Sequence, residues 1–395
     1  MLQRHTQQRM DRNANVSFAG CGFIGIYHIG VSACLKQFAP HLLMNKIGGS
    51  SAGAMCAVAL VCDLSLVDMA RNVVTLAYEI NEKLLGPFSP SVNLHQKLKN
   101  AFESLFPENV AEQCNEKCFI SITKASNKSN LLISEFESKE DLVEAVSASS
   151  FVPMMSGYIP PKFRGQYALD GGYSDNIPYL GGYTITVSPF AGDASICPSE
   201  ESFHSLLLSY PHGTGGTINL STGNFRKLGD AIIPPNTRKM KEIFVQGYND
   251  AKRYLQCMEM IKCGRCLEQE EVPPNNVQLN CQRDCDTCQS LQEQATHAKY
   301  CDQFDQLFDE IEARESEKSS DGLGSYILSL PATVASNASR TLATLSPLTS
   351  VLSNSIMGTG KKRMAMLQLL GLSVAPAKTL FKLQPSIKQC PFVDI

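Results

Sequence analysis

The sequence predicts an α/β fold on a mostly parallel sheet, and three observations predict it. Strand and helix signals alternate from residue 15 to residue 190, the pattern that joins parallel strands through helical crossovers. Glycine-rich turns stand where strands give way to helices, at 20–25 and 49–53. The 395 residues are 43% hydrophobic and 18% charged, apolar enough for a sizeable core and too poor in charge for a disordered chain.

Residues 1–14 read as a polar tail. Val16-Ser17-Phe18-Ala19 is a short buried strand running into the first glycine turn, and 24–38 carries helix-compatible apolar residues up to Pro40, which cannot continue a helix. Residues 44–48 make a second strand, followed by a turn and an apolar helix over 52–61. Ser65 caps a longer helix reaching residue 84, with Leu66, Met69, Val73, Leu76 and Ile80 on one face. Gly86-Pro87-Phe88-Ser89-Pro90 breaks the chain, and 118–124 and 131–136 read as strands around a polar turn at 127–130. Ser138 with Asp141 caps a helix over 139–149. A further strand covers 184–189 and a further helix 240–261. The expected organisation is therefore the polar tail, an α/β domain over 15–260, a cysteine-rich and acidic segment over 261–320, and an amphipathic segment over 321–395.

A net charge of −3 leaves no broad basic field, which excludes nucleic acid as a partner. The N-terminal residues hold no apolar run of the secretory kind. The 15 cysteines are accordingly expected to be reduced, in a cytosolic compartment. The longest apolar runs, 54–62 and 364–376, fall short of the roughly 18–20 residues that span a bilayer. A soluble or peripherally attached protein is expected rather than an integral one.

Three motifs carry chemistry. Gly49-Ser50-Ser51-Ala52-Gly53 is a G-x-S-x-G between a strand and an apolar helix. A nucleophile at the tip of such a turn needs small neighbours two residues to either side, and only Ser51 has glycine at both positions. The N–H groups of the following helix favour negative charge there. In isolation the same pentapeptide also occurs as a plain small-residue turn. Gly20-Cys21-Gly22-Phe23-Ile24-Gly25 matches the dinucleotide pattern G-x-G-x-x-G, but residues 43–49 offer no Asp or Glu for a ribose. The remaining readings are a tight turn and a loop whose N–H groups hold an oxyanion. Asp170-Gly171-Gly172 alone is a turn sequence; it gains weight as the third motif in a fixed order. A histidine base would be sought after Asp170, yet His204, His212 and His297 lie in polar or Ser/Gly-rich stretches without a supporting motif. His28 reads as a packed core residue. A Ser51–Asp170 pair fits better than a triad.

The segments NVSFAGCGFIGIYHIGVSACL, IGGSSAGAM, FVPMMSGYIPPKFRGQYALDGGYSDNIP and TITVSPFAGDASICP resemble the patatin-like phospholipase family, closest to its adipose triglyceride lipase branch, over residues 14–260. The resemblance implies a three-layer α/β/α sandwich and a Ser–Asp dyad of Ser51 and Asp170 acting without a cofactor. It also implies hydrolysis of acyl esters of triacylglycerol or phospholipid at a droplet or membrane surface, with a co-activator protein as regulator. Ile24 stands where many members carry Lys or Arg, and Ser50 where the branch usually has Ala. The competing activities are a phospholipase A or an acyltransferase on the same dyad; a weakly active droplet-binding scaffold is the non-enzymatic alternative.

Cys263, Cys266, Cys285 and Cys288 form a C-x2-C-x18-C-x2-C pattern, a spacing used by structural zinc sites, with Cys281 as a competing ligand and an assortment of free thiols as the alternative. Residues 323–384 space Leu, Ile, Val and Met among Ser, Thr and Ala, with Lys361-Lys362-Arg363 as their basic run. That composition suits a segment lying in a lipid interface; a hairpin packed on the core and a disordered tail are the alternatives.

Overall fold

The computed structural model describes residues 14–83, 85–89, 91–199, 206–209, 217–219, 221–258, 260, 302–315 and 373–376. In chain order these form β1 (Asn15–Phe18), α1 (Ile26–Phe38), β2 (Ile47–Ser50), α2 (Ala52–Val61), α3 (Leu66–Asn81), α4 (Leu94–Leu105), α5 (Val110–Cys114), β3 (Cys118–Lys124), β4 (Asn130–Ile133), α6 (Lys139–Ser149), β5 (Lys162–Phe163), β6 (Gln166–Asp170), β7 (Thr184–Val187), β8 (Leu206–Ser209), β9 (Thr217–Asn219), α7 (Thr222–Ile232), α8 (Thr237–Cys257), α9 over 302–315 and β10 (Ser373–Pro376).

Every residue of β1 and β2 is buried, so both faces of the sheet are covered, as parallel strands between helical layers require. β1 pairs in parallel with β2 and β7, and β2 in parallel with β3. The antiparallel strands β4, β6 and β5 extend the sheet beyond β3. This is the expected mostly parallel arrangement, with the four central strands β7, β1, β2 and β3 mutually parallel. Ser65 Oγ accepts the Asp68 N–H at 3.2 Å, and Ser138 Oγ the Asp141 N–H at 3.2 Å, so α3 and α6 start at the caps read from sequence. β2 begins three residues later than expected, at Ile47. Gly48 and Gly49 have poor strand propensity, and it is their place between β1 and β3 that keeps them extended.

The pairing of β3 decides where the site lies. Ile120 and Ser121 pair with β2 on one edge and β4 on the other, while Ile122 and Thr123 pair with β6 and β4. A strand has two edges and β4 occupies one throughout, so β2 and β6 share the other. They run toward each other along it. Ser50 is registered with Ser121, and Asp170 with Ile122, the next residue. The C-terminal ends of β2 and β6 therefore meet.

The core extends past residue 260. Phe304, Leu307, Phe308 and Ile311 of α9 are buried, at the i, i+3, i+4, i+7 spacing of one helix face. The rings of Phe304 and Phe308 lie 4.4 Å and 5.8 Å from that of Phe244 on α8. Lys241 pairs with Asp305 and Asp309 at 2.9 and 3.0 Å, and Arg71 with Glu310 at 3.1 Å. The acidic stretch read as a polar insert thus ends in a docked amphipathic helix with its charges outward. A smaller sheet pairs β8 with β9 and with β10, all antiparallel; β10 is the described part of the segment 321–395. Cys263, Cys266, Cys281, Cys285 and Cys288, His204, His212, His297 and the run at 361–363 lie outside the described residues.

Phe308→Ala removes a fully buried ring and is expected to cost about 3–5 kcal/mol of unfolding free energy by urea titration. A cost below about 1 kcal/mol, the usual range for surface changes, would show that α9 is not docked.

Candidate active site

The turn between β2 and α2 is strained. Ser51 sits at φ 51°, ψ −124°, a positive φ costly for a residue with a side chain and common at functional turns. Close packing forces it. A Cβ on Gly49 would lie 2.6 Å from both Gly53 C and Phe18 O, and one on Gly53 2.2 Å from Phe18 O, so the two glycines let the strand–helix turn press against β1. The Ser51 N–H donates to Ser149 Oγ at 2.9 Å, and Ser149 Oγ donates to Ser121 O at 2.7 Å. The end of α6 thus ties the turn to β3. Ser51 is buried, at 8% exposure.

Asp170 ends β6 and is held at every backbone group. Its N–H donates to Phe151 O at 2.9 Å, and its carbonyl accepts from Thr123 Oγ1 at 2.7 Å. Oδ1 accepts the Gly172 N–H at 2.7 Å. Burial raises its pKa to about 6, against hydrogen bonds from Ser51 and Gly172 that favour the carboxylate. Ser51 and Asp170, 119 residues apart in sequence, are brought together by the shared edge of β3.

The glycine loop packs against this pair as a short 3-10 turn over Gly22–Gly25. The Gly20 N–H is committed to Asn176, to Oδ1 at 3.0 Å and to the carbonyl at 3.4 Å. Its place in the expected oxyanion loop is therefore one of packing. The first N–H groups of the turn, from Cys21 onward, have no acceptor within it. A Cβ on Gly25 would stand 2.8 Å from the Ala52 Cβ, so the glycine loop touches the serine turn, and one on Gly171 would stand 2.2 Å from Ser121 O, so the turn after Asp170 lies on β3. The Cys21 thiol is pushed well up, first by burial and then by Cys56 and Asp170, and stays protonated.

His28 is a core histidine, as expected. Nε2 donates to Ala19 O at 2.7 Å and lies 3.3 Å from Cys21 Sγ, and burial lowers its pKa to about 4. Sequence reading missed Ser121, Thr123, Ser149 and Asn176, single polar residues in otherwise buried elements with no spacing to announce them. Asn176 at least lay within the string that follows Asp170. Among the described residues no group of three or more His, Cys, Asp or Glu side chains is placed to hold a metal.

A mostly parallel α/β sheet carrying a serine at a strained strand–helix turn is an architecture of serine acyl-transfer enzymes. The patatin-like phospholipase family model matches residues 16–181. Human patatin-like phospholipase domain-containing protein 4 is 33% identical over 248 residues, covering 62% of this chain and 97% of its own length. The chain belongs to the patatin-like phospholipase family, whose members are lipid hydrolases or acyltransferases. Mouse 1-acylglycerol-3-phosphate O-acyltransferase Pnpla3 is 40% identical over 249 residues, 62% of this chain and 60% of the relative. Mouse patatin-like phospholipase domain-containing protein 2 is 40% identical over 246 residues, 61% of this chain and 50% of the relative. The matched region thus spans only half to three-fifths of those two proteins.

The raised pKa of Asp170 fixes a sign for stability. The folded state holds the proton more tightly than the unfolded chain, whose value is near 3.8. Its contribution is therefore fully present below that pH and is lost as pH rises through about 6. Asp170→Asn, which carries no charge to bury, is expected to be more stable than wild type by about 1–3 kcal/mol at neutral pH. Urea titrations at several pH values should show the gap narrowing toward pH 4; equal stability of the two proteins throughout would contradict a buried, desolvated carboxylate.

Proposed function

We propose that the chain is a lipid acyl-ester hydrolase, with triacylglycerol as its first substrate class, in which Ser51 is the nucleophile and Asp170 its base. The observation that carries this reading is the meeting of a strained, buried Ser51 with a buried Asp170 at the shared edge of β3. Near neutral pH the Asp170 carboxylate is ionised and a stronger base than an ordinary one. It takes the Ser51 proton as Oγ bonds to the ester carbonyl carbon. The oxyanion lies against the glycine-loop N–H groups from Cys21 onward and the N-terminus of α2. Collapse expels the alcohol, which leaves with the proton from Asp170. Water then attacks the acyl-serine, losing a proton to Asp170, and Asp170 returns that proton to Ser51 Oγ as the bond to the acyl carbon breaks and the fatty acid departs.

A lipid substrate fits the surroundings. The loop after α6 is rooted beside the base, Phe151 O accepting the Asp170 N–H, and it exposes Met154, Tyr158 and Ile159 at 67%, 85% and 77%. No helix of the described residues is long and apolar enough to cross a membrane; attachment to a droplet or membrane surface would use such exposed apolar side chains and the segment 321–395. A co-activator protein remains part of the reading through the resemblance, and a cytoplasmic setting through the expectation of reduced cysteines. The name of the mouse acyltransferase relative favours one alternative, transfer of the same acyl group to an alcohol in place of water.

Ser51→Ala is expected to abolish release of fatty acid from triacylglycerol, phospholipid and lysophospholipid emulsions while the melting curve stays cooperative, a loss of at least about 10⁴-fold for a missing nucleophile. Supplying an alcohol or lysophospholipid acceptor separates hydrolysis from transfer by product. Activity retained in Ser51→Ala would remove Ser51 from the chemistry.

A further inference from the structure

The side chain of Asn176 touches all three motifs at once. Oδ1 accepts the Gly20 N–H at 3.0 Å and the Ser50 hydroxyl at 3.0 Å. Nδ2 donates to Gly20 O at 3.4 Å. The same Ser50 hydroxyl also reaches Asn176 O at 3.0 Å, so its single proton is shared between the two oxygens. Both residues are buried, at 3% and 0% exposure. The amide can face only one way, because Gly20 N–H and Ser50 Oγ–H are donors and Gly20 O is an acceptor. It is also wedged: a Cβ on Gly20 would lie 2.7 Å from Oδ1 and 2.6 Å from Ser50 Oγ, and one on Gly172 2.8 Å from Oδ1. Gly20 opens the oxyanion loop, Ser50 precedes the nucleophile by one residue, and Gly172 follows the base by two.

Resting on the Ser51–Asp170 reading, we propose that Asn176, seated by Ser50, is a positioning residue that sets the glycine loop against the nucleophile and base. It touches no reacting atom. Both ends of its amide grip the peptide groups of Gly20, so the N–H groups that follow, on Cys21 and Gly22, are aimed where the oxyanion forms. A loop released from this grip still admits substrate but meets the tetrahedral intermediate out of line, a displacement that lowers the chemical step more than binding. Ser50 is specific to the geometry of this chain: an alanine there would leave the amide one donor short.

The test uses the full chain, a soluble p-nitrophenyl ester and a fluorophosphonate, whose phosphoryl oxygen occupies the oxyanion position once Ser51 is labelled. Asn176→Ala is expected to lower kcat by about 10²-fold with KM within about threefold, and the pH midpoint unchanged. Labelling should slow in proportion yet still reach the wild-type end point, which a partly unfolded protein does not. Ser50→Ala, missing one hydrogen bond, should lose about threefold to tenfold, and nothing further when added to Asn176→Ala. Asn176→Asp keeps the acceptor facing Gly20 and Ser50; it should recover rate at high pH with its midpoint moved upward, because a second carboxylate then stands beside Asp170. If Asn176→Ala gives no cooperative melt, Ser50→Ala and Asn176→Asp decide. Labelling of Asn176→Ala at the wild-type rate, additive losses in the double variant, or an Asn176→Asp midpoint identical to wild type would each overturn the positioning role. Wild type that is not labelled on Ser51 would overturn the dyad reading instead.

Discussion

The register of β6 on β3 is the constraint on which the site depends. Asp170 has one place in that register, opposite Ile122, and Ser50 has the adjoining one, opposite Ser121. A slip of β6 by one residue would turn Asp170 to the other face of the sheet, and a slip by two would move it about 7 Å along β3. The register is pinned from several sides: Thr123 Oγ1 and Phe151 O hold the Asp170 backbone, and the Gly171 position fits over Ser121 O with no room for a side chain. Ser121 is the hub, since its carbonyl also takes the Ser149 hydroxyl that fixes the Ser51 turn.

Both members of the pair are held at local cost. Ser51 has a backbone conformation that costs of order 1–3 kcal/mol outside glycine, and Asp170 is a buried carboxylate with few donors. Such costs are offset by the surrounding core. β1 and β2 are covered on both faces, α1 and α8 are joined by the buried Tyr27–Asp250 hydrogen bond at 2.8 Å, and α9 closes over Phe244. Strain at the turn and desolvation at the base are also what the proposed chemistry needs: a nucleophile fixed at the tip of its turn and a carboxylate that binds a proton near neutral pH.

Much of this was legible in the residues. The bounds of α2, β3 and α6 coincide with the expected 52–61, 118–124 and 139–149, because apolar runs, β-branched residues and a capping serine all point the same way there. Other elements were not, among them α4, α9 and β6. α4 was passed over: Leu94 and Phe102 are its only fully buried residues, so its apolar stripe is thin. α9 was hidden under its charges, although the 3.6-residue spacing of Phe304, Leu307, Phe308 and Ile311 was present. β6 was read only as a motif, because a five-residue strand entering antiparallel at the end of a parallel ladder leaves no local signature. The three glycine motifs could be ordered from sequence, but how β2 and β6 share an edge, and so why Ser51 meets Asp170, is a property of the sheet.

The most direct test is the pH dependence of fluorophosphonate labelling at Ser51, measured as a rate on wild type and Asp170→Asn, since labelling reports nucleophile activation without lipid binding or product release. A rate that rises with a midpoint near 6, the value set by burial of Asp170, and a slow, flat profile in Asp170→Asn are predicted. A profile in Asp170→Asn that keeps the wild-type step and rate would contradict the account, because another group would then be the base.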